Sequence, residues 1–304
     1  MSLAYALGGS IGSITGMTLL YPLDQARTLV QIDDALAQDT RGAGIFLLAT
    51  IARKYGKAQL FRGCAPVILT VGFSNFIYLL VYRALRALAI DLLPGREIGV
   101  RKNTLISALA GVVNVFSTAP LWVTTMRIRS SQEPKSFPTT MRQIAQEEGA
   151  LGLFAGVAPS LALVTNPIIQ FVCFEWLKRA VLKRTGRLHG ALVDSIQLRP
   201  HEAFLVGMAA KCAATLLTYP LQLAQSRMRA KACVETEGTF GCIMQTVETL
   251  NEAWVARGLA GLYQGLEAKI LHSMLLSGFQ FLTAESFYQA ILRMWRFPNR
   301  EKTQ

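Results

Sequence analysis

Two short marks recur three times along this chain and fix what it can fold into. Tyr21-Pro22-Leu23-Asp24, Ala119-Pro120-Leu121-Trp122 and Tyr219-Pro220-Leu221-Gln222 each close a long, nearly uncharged stretch. Leu60-Phe61-Arg62-Gly63, Leu153-Phe154-Ala155-Gly156 and Leu262-Tyr263-Gln264-Gly265 follow them in the same order. A pattern repeated at a fixed period denotes a repeat architecture. The unit is apolar helix, proline, polar connector, aromatic-x-Gly, apolar helix. We therefore divide the 304 residues into three units, 1–96, 97–190 and 191–304, rather than into the soluble domains that such a length could otherwise hold.

Six stretches carry few or no charges: Ser2–Leu23, Cys64–Tyr82, Thr104–Met126, Gly156–Phe174, Ala203–Ser226 and Ile270–Ala284. Crossing the hydrocarbon core takes roughly 20 apolar residues, and most of these are that long. A soluble helix would keep one charged face, which these lack. The fold class read from this pattern is an all-α membrane protein with six transmembrane helices in three pseudo-symmetric repeats, and the lipid bilayer is its first partner. Connectors inside the units have amphipathic character at Gly44–Lys54, Pro138–Glu147 and Phe240–Trp254, each followed by a glycine suited to a helix C-cap: Gly56, Gly149 and Gly258. Gly8, Gly12 and Gly16 share one face of the first helix, where they permit close helix contact. Pro22, Pro120 and Pro220 are expected to kink their helices about a turn upstream.

The formal charge of +12 sits mainly between the spans. It suits attraction of anionic solutes to a pore mouth, and with so apolar a chain a nucleic-acid partner is not expected. Five cysteines without metal spacing argue against a zinc site or a disulfide framework. No cleavable leader is expected, and Lys302-Thr303-Gln304 is not a peroxisomal matrix signal. Without a nucleophile elbow, a phosphate loop or a ligand cluster, no catalytic residues, no metal and no resident cofactor are expected. The chain is read as something other than an enzyme, and as a monomer.

Lys211 is the one formal charge between Ala203 and Ser226, roughly 13 Å along the helix from Pro220. A charge within a span is a functional candidate, here for cargo phosphate; a structural lysine bonded to a neighbouring helix is the alternative. Asn75, Asn166 and Gln170 are amides in apolar helices, where an unpaired amide costs a few kcal/mol. They suit either the edge of a purine ring or contacts between helices. Lys269, beside Glu267, lies near the mouth of the last helix, where it could steer anions, pair in a gate or stay solvated.

Three copies of this motif in register, spread over essentially the whole chain, resemble the mitochondrial carrier family. The resemblance implies six tilted helices around one central cavity, alternating access, and a gate of ion pairs built on Pro-x-Asp/Glu-x-x-Lys/Arg. Repeat one keeps Asp24 and Arg27 of that motif; repeat two has Trp122 and Thr125, and repeat three Gln222 and Gln225. Neutral pairs are weaker than charge-assisted ones, so this gate is thinned. The opposite gate survives fully as Phe174-Glu175-Trp176-Leu177-Lys178, whereas repeat one reads Tyr82-Arg83-Ala84-Leu85-Arg86 and repeat three keeps Glu285 with Tyr288. The family also implies a contact residue seven positions after the motif glycine, which is Thr70, Leu163 and His272 in the three repeats.

Asn166-Pro167-Ile168-Ile169-Gln170-Phe171 and Gly261-Leu262-Tyr263-Gln264-Gly265-Leu266-Glu267 are similar to the branch that carries CoA, FAD, NAD and adenine nucleotides (AMP, ADP, ATP) in peroxisomes. That implies an anionic nucleotide or cofactor as cargo and the peroxisomal membrane as location. Two alternatives stay open: a mitochondrial inner-membrane carrier of a related nucleotide or folate, and a carrier-like receptor that no longer transports.

Overall fold

The computed structural model describes residues 16–39, 45–92, 100–131, 133, 135–184, 200–231 and 238–276. Among them every regular element is helical. We number α1 Tyr21–Ile32, α2 Asp34–Asp39, α3 Ile45–Tyr55, α4 Cys64–Leu92, α5 Val100–Ser130, α6 Phe137–Glu147, α7 Gly149–Gly152, α8 Val157–Leu163, α9 Asn166–Arg184, α10 Pro200–Ala230, α11 Gly238–Arg257 and α12 Leu259–Leu262. A further helix runs over 266–276. The chain forms two compact units, one of residues 1–68 with 265–304 and one of residues 69–264.

Four stretches are long and apolar enough to cross a membrane: Lys57–Asp91, Lys102–Ser130, Gly149–Arg184 and Phe204–Ala230. They coincide with four of the six spans expected from sequence. Most of Ser2–Leu23 and Ile270–Ala284, with Gly8 and Gly12, falls outside the described residues. Large apolar side chains stand exposed on the spans, among them Leu69, Phe73, Phe76, Val172 and Leu217. Lipid, not water, is the solvent such faces fit.

The connectors form helices α3, α6 and α11; α3 and α6 are amphipathic as expected, whereas α11 leaves Ile243, Val247 and Trp254 exposed and buries Thr246 and Thr249. In the larger unit Val123, Ile144 and Ala155 make one buried cluster with Leu153 against it. In the smaller, α1 and α3 pack Ala26, Leu29, Val30, Leu47 and Ile51 with Leu60 and Ala268.

The prolines act in two ways. Helical residues 16–19 stop at Leu20, and α1 restarts at Tyr21 with Pro22 in its first turn. Proline fits there because its missing N–H needs no partner. Pro120 and Pro220 instead lie inside unbroken helical runs of 31 residues each.

The two repeated marks are joined to each other. Tyr21 donates its hydroxyl to the Arg62 carbonyl at 2.6 Å, and Tyr219 donates to the Gln264 carbonyl, also at 2.6 Å. Each bond links the tyrosine before the proline to the residue before the motif glycine. Repeat two has Ala119 and Ala155 there, both buried, and Ala119 has no hydroxyl to make the bond. The glycine of that mark is needed for its backbone: φ is 75° at Gly63, 73° at Gly156 and 78° at Gly265. A side chain disfavours that left-handed conformation. At Gly156 an added Cβ would also stand 3.2 Å from the Gln225 carbonyl. The glycines after the connectors, Gly56, Gly149 and Gly258, take positive φ as well.

Candidate functional site

Lys211, Thr218, Gln222, Gln225 and Arg229 fall within about 60° of one another around α10, given about 100° per residue. Exposed Leu205, Leu216 and Leu217 lie on its other sides. On α9, Asn166 and Gln170 share a stripe roughly opposite exposed Phe171, Val172 and Trp176. The polar stripes of the two helices meet. Lys211 Nζ donates to Gln170 Oε1 at 3.4 Å, and Asn166 Nδ2 donates to Thr218 Oγ1 at 2.8 Å. Gln222 Nε2 reaches the same hydroxyl at 2.8 Å, while Thr218 donates to the Ala214 carbonyl.

Three residues expected to touch cargo are thus brought together: Lys211, Gln170 and Asn166. They adjoin Gln222, expected as a gate residue. The ammonium has three donors, and one long bond to an amide leaves it free to meet an anion. Among the described residues no carboxylate pairs with Lys211. Among those residues its charge is uncompensated, unlike that of Arg27, which contacts Asp24 at 2.5 Å within α1.

Ser160 on α8 is a second junction. Gln225 Nε2 donates to its Oγ at 2.8 Å and Arg229 Nη2 at 2.9 Å, while Ser160 donates to the Gly156 carbonyl. The Arg229 guanidinium also lies over the Trp122 ring, 5.6 Å from its centroid. Trp122 and Gln225 occupy motif positions where the family resemblance implies an acid and a base. Here a neutral hydrogen bond from Gln225, a charge-assisted one from Arg229 and a cation–π contact connect α5, α8 and α10.

The remaining candidates are spread out. Thr70 is buried and shares a 2.9 Å hydrogen bond with Thr125, which stands at the basic position of the motif in repeat two. Asn75 is exposed on α4. In the smaller unit His272 is buried, with Nδ1 3.9 Å from Asp24 Oδ1, and half-buried Lys269 lies in the first turn of the helix over 266–276. Glu175 and Lys178 are half-buried on α9, and among the described residues no ion pair joins them. Glu285 lies outside the described residues.

Sequence reasoning missed Arg127, Arg129, Arg227 and Arg229. Arg127 contacts Glu148 Oε2 at 2.9 Å and donates to the backbone carbonyls of Arg229, at 3.1 Å, and Lys231. Arg227 is buried and reaches Gln264 Oε1 at 3.3 Å. The signal was available: both arginine pairs stand at the same offsets from Pro120 and Pro220. They lie beyond the last position of the Pro-x-Asp/Glu-x-x-Lys/Arg motif.

Comparison with known proteins gives a consistent match. The family profile of mitochondrial carrier protein matches three times, over residues 2–92, 96–185 and 197–295. Peroxisomal membrane protein PMP34 of Mus musculus is 34% identical over 99% of this chain and 97% of its own length. The peroxisomal adenine nucleotide carrier 1 of Glycine max is 30% identical over 93% of this chain and 90% of its own. The peroxisomal nicotinamide adenine dinucleotide carrier of Arabidopsis thaliana is 28% identical, covering 93% and 94%.

Proposed function

We propose that this chain, which belongs to the mitochondrial carrier family, exchanges bulky anionic nucleotides or cofactors across the peroxisomal membrane. CoA, FAD, NAD and adenine nucleotides are the cargo class. The peroxisomal carriers of adenine nucleotides and of nicotinamide adenine dinucleotide named above support both the cargo and the location, and PMP34 supports the location. The observation that carries the reading is Lys211, a cation within a span whose contact among the described residues is the amide of Gln170 and not a carboxylate. A phosphate can take up the donors that the amide leaves.

The work is electrostatic and no bond is made or broken. In this account Lys211, Gln170, Asn166 and Asn75 meet cargo, with Thr70, His272 and Lys269 along its route. Asp24, Arg27, Gln222 and Gln225 close one side, and Glu175, Lys178 and Glu285 the other. The three repeats at 1–96, 97–190 and 191–304 move as the units of alternating access.

The test uses detergent-purified protein. Binding to the folded state raises stability by about 2.7 kcal/mol at a hundredfold excess of ligand over its Kd. Melting temperature should rise more with CoA, FAD, NAD or ADP than with adenosine or riboflavin, which lack phosphate. A flat profile over that panel would favour the receptor alternative. A fluorescent fusion should mark peroxisomes; mitochondrial fluorescence would favour the inner-membrane alternative.

A further inference from the structure

Helix α4 has a second polar face that the phosphate site does not use. Leu69, Phe73, Phe76 and Leu80 are 47–73% exposed and lie within about 60° of one another, the side suited to lipid. Roughly opposite that stripe stand Ser74, Asn75, Tyr78 and Tyr82. Two of them are held to α5: Asn114 Nδ2 donates to Ser74 Oγ at 3.0 Å, and the Tyr82 hydroxyl donates to Asn103 Oδ1 at 2.6 Å. Between these rungs the rings of Tyr78 and Tyr82 stack, with centroids 6.2 Å apart and planes 15° from parallel.

Tyr82 is fixed by its hydroxyl. Tyr78 is not: it is half-buried, and among the described residues its hydroxyl makes no hydrogen bond. Asn75, exposed one turn earlier on the same side, carries a donor and acceptor edge that is free among the described residues. In repeat register Tyr78 precedes Tyr82 by one helical turn, as Gln170 precedes Phe174. Counted from those two aromatic residues, Tyr78 stands in repeat one where Gln170, the partner of Lys211, stands in repeat two; counted from Gly63 and Gly156 the two are one residue apart.

We propose that the stacked Tyr78–Tyr82 pair is the ring-binding subsite of this carrier, taking the face of the cargo's base while Asn75 reads its edge. The inference rests on the transport reading above and divides the labour within it. Lys211 and Gln170 receive phosphate; Tyr78 receives the ring. Stacking accepts any planar ring because every base has a π-face. One platform therefore serves adenine, nicotinamide or flavin, and the subsite selects for the presence of a ring over its identity.

The experiment is counter-exchange by full-length protein in liposomes preloaded with NAD, FAD, CoA or ADP. It compares the unaltered protein with Tyr78→Leu and Tyr78→Phe. For each cargo that the unaltered protein exchanges, Tyr78→Leu should raise the half-saturating concentration about tenfold, the scale of one lost stacking contact. Its maximal rate should stay within about twofold. Tyr78→Phe keeps the ring and should match the parent in both quantities, which also shows that the position tolerates substitution. Parent-like half-saturation in Tyr78→Leu overturns the subsite and leaves transport standing. So does an equal loss in Tyr78→Phe, since the hydroxyl and not the ring would then matter. If the unaltered protein exchanges none of the four cargoes, the transport reading fails and the subsite with it.

Discussion

Arg229 holds its guanidinium 5.6 Å from the centroid of the Trp122 ring while donating to Ser160. An aromatic face thus serves where the carrier motif implies a carboxylate. A cation over an aromatic face contributes about 0.5–1 kcal/mol at exposed sites and about 2 when desolvated. It involves one charge instead of two. Trp122→Leu should therefore lower the melting temperature of purified protein, while Trp122→Phe, which keeps a ring face, should lower it less. Equal losses would assign the effect to packing volume alone.

Arg127 makes three contacts, and Glu148 supplies one of them. Removing the arginine leaves the carboxylate and two carbonyls without that donor; removing the acid leaves the arginine two carbonyls. Arg127→Ala should cost more stability than Glu148→Gln, on the scale of about 1.5–3 kcal/mol for hydrogen bonds to a charged group. Thermal melting of the two variants in parallel checks the order.

The tyrosine before the proline offers a comparison within one chain. Tyr219→Phe deletes a buried bond to the Gln264 carbonyl and Tyr21→Phe a partly buried one to that of Arg62. Tyr219→Phe should destabilise by about 1–3 kcal/mol because a buried carbonyl loses its donor, and Tyr21→Phe by less because its bond is only partly buried. Ala119→Ser adds only a short hydroxyl in repeat two and should not stabilise the protein. Melting curves with an unchanged midpoint for Tyr219→Phe would contradict the first expectation.

Asp33 links pH to the connector of repeat one. Burial alone would raise its pKa. The Tyr55 hydroxyl at 2.8 Å, the backbone N–H groups of Leu36 and Ala35, and the Lys54 charge outweigh it and hold the carboxyl below its ordinary value. Its charged form is thus favoured by folding. The stabilisation is full above the unfolded-state pKa of about 3.9 and fades as pH falls through the lower folded value. Tyr55 is shifted upward, by burial first and then by Asp33. Its contribution is full below about pH 10 and is lost as pH rises through the folded value. Melting temperature against pH should fall at both ends, and Asp33→Asn should flatten the acid limb.

The repeat marks made the fold legible because each has a physical cause that acts locally. Gly156 is required by its φ, and Pro22 fits a first helical turn. The pairing of Lys211 with Gln170 was half legible. Both residues stood out as polar groups in apolar helices, but which helix faces which is decided by packing between repeats. The Ser160 junction was not legible at all, since a serine in an apolar helix carries no mark of the guanidinium that meets it. Thr70 stood out by register alone, and the structure gives it the Thr125 hydroxyl as a partner. Register locates a backbone position without specifying what its side chain meets.

Counter-exchange in liposomes preloaded with NAD, FAD, CoA or ADP, run on the unaltered protein beside Lys211→Ala and Lys211→Arg, tests the central claim most directly. The account predicts saturable exchange of at least one of these cargoes. It predicts at least a tenfold loss in Lys211→Ala, with folding and membrane insertion intact, because one charge-assisted contact is worth about 1.5–3 kcal/mol. Lys211→Arg should retain part of the activity, since it keeps the charge but changes the geometry. Exchange by Lys211→Ala at the parental rate would contradict the phosphate site, and absence of exchange by the unaltered protein would contradict transport itself.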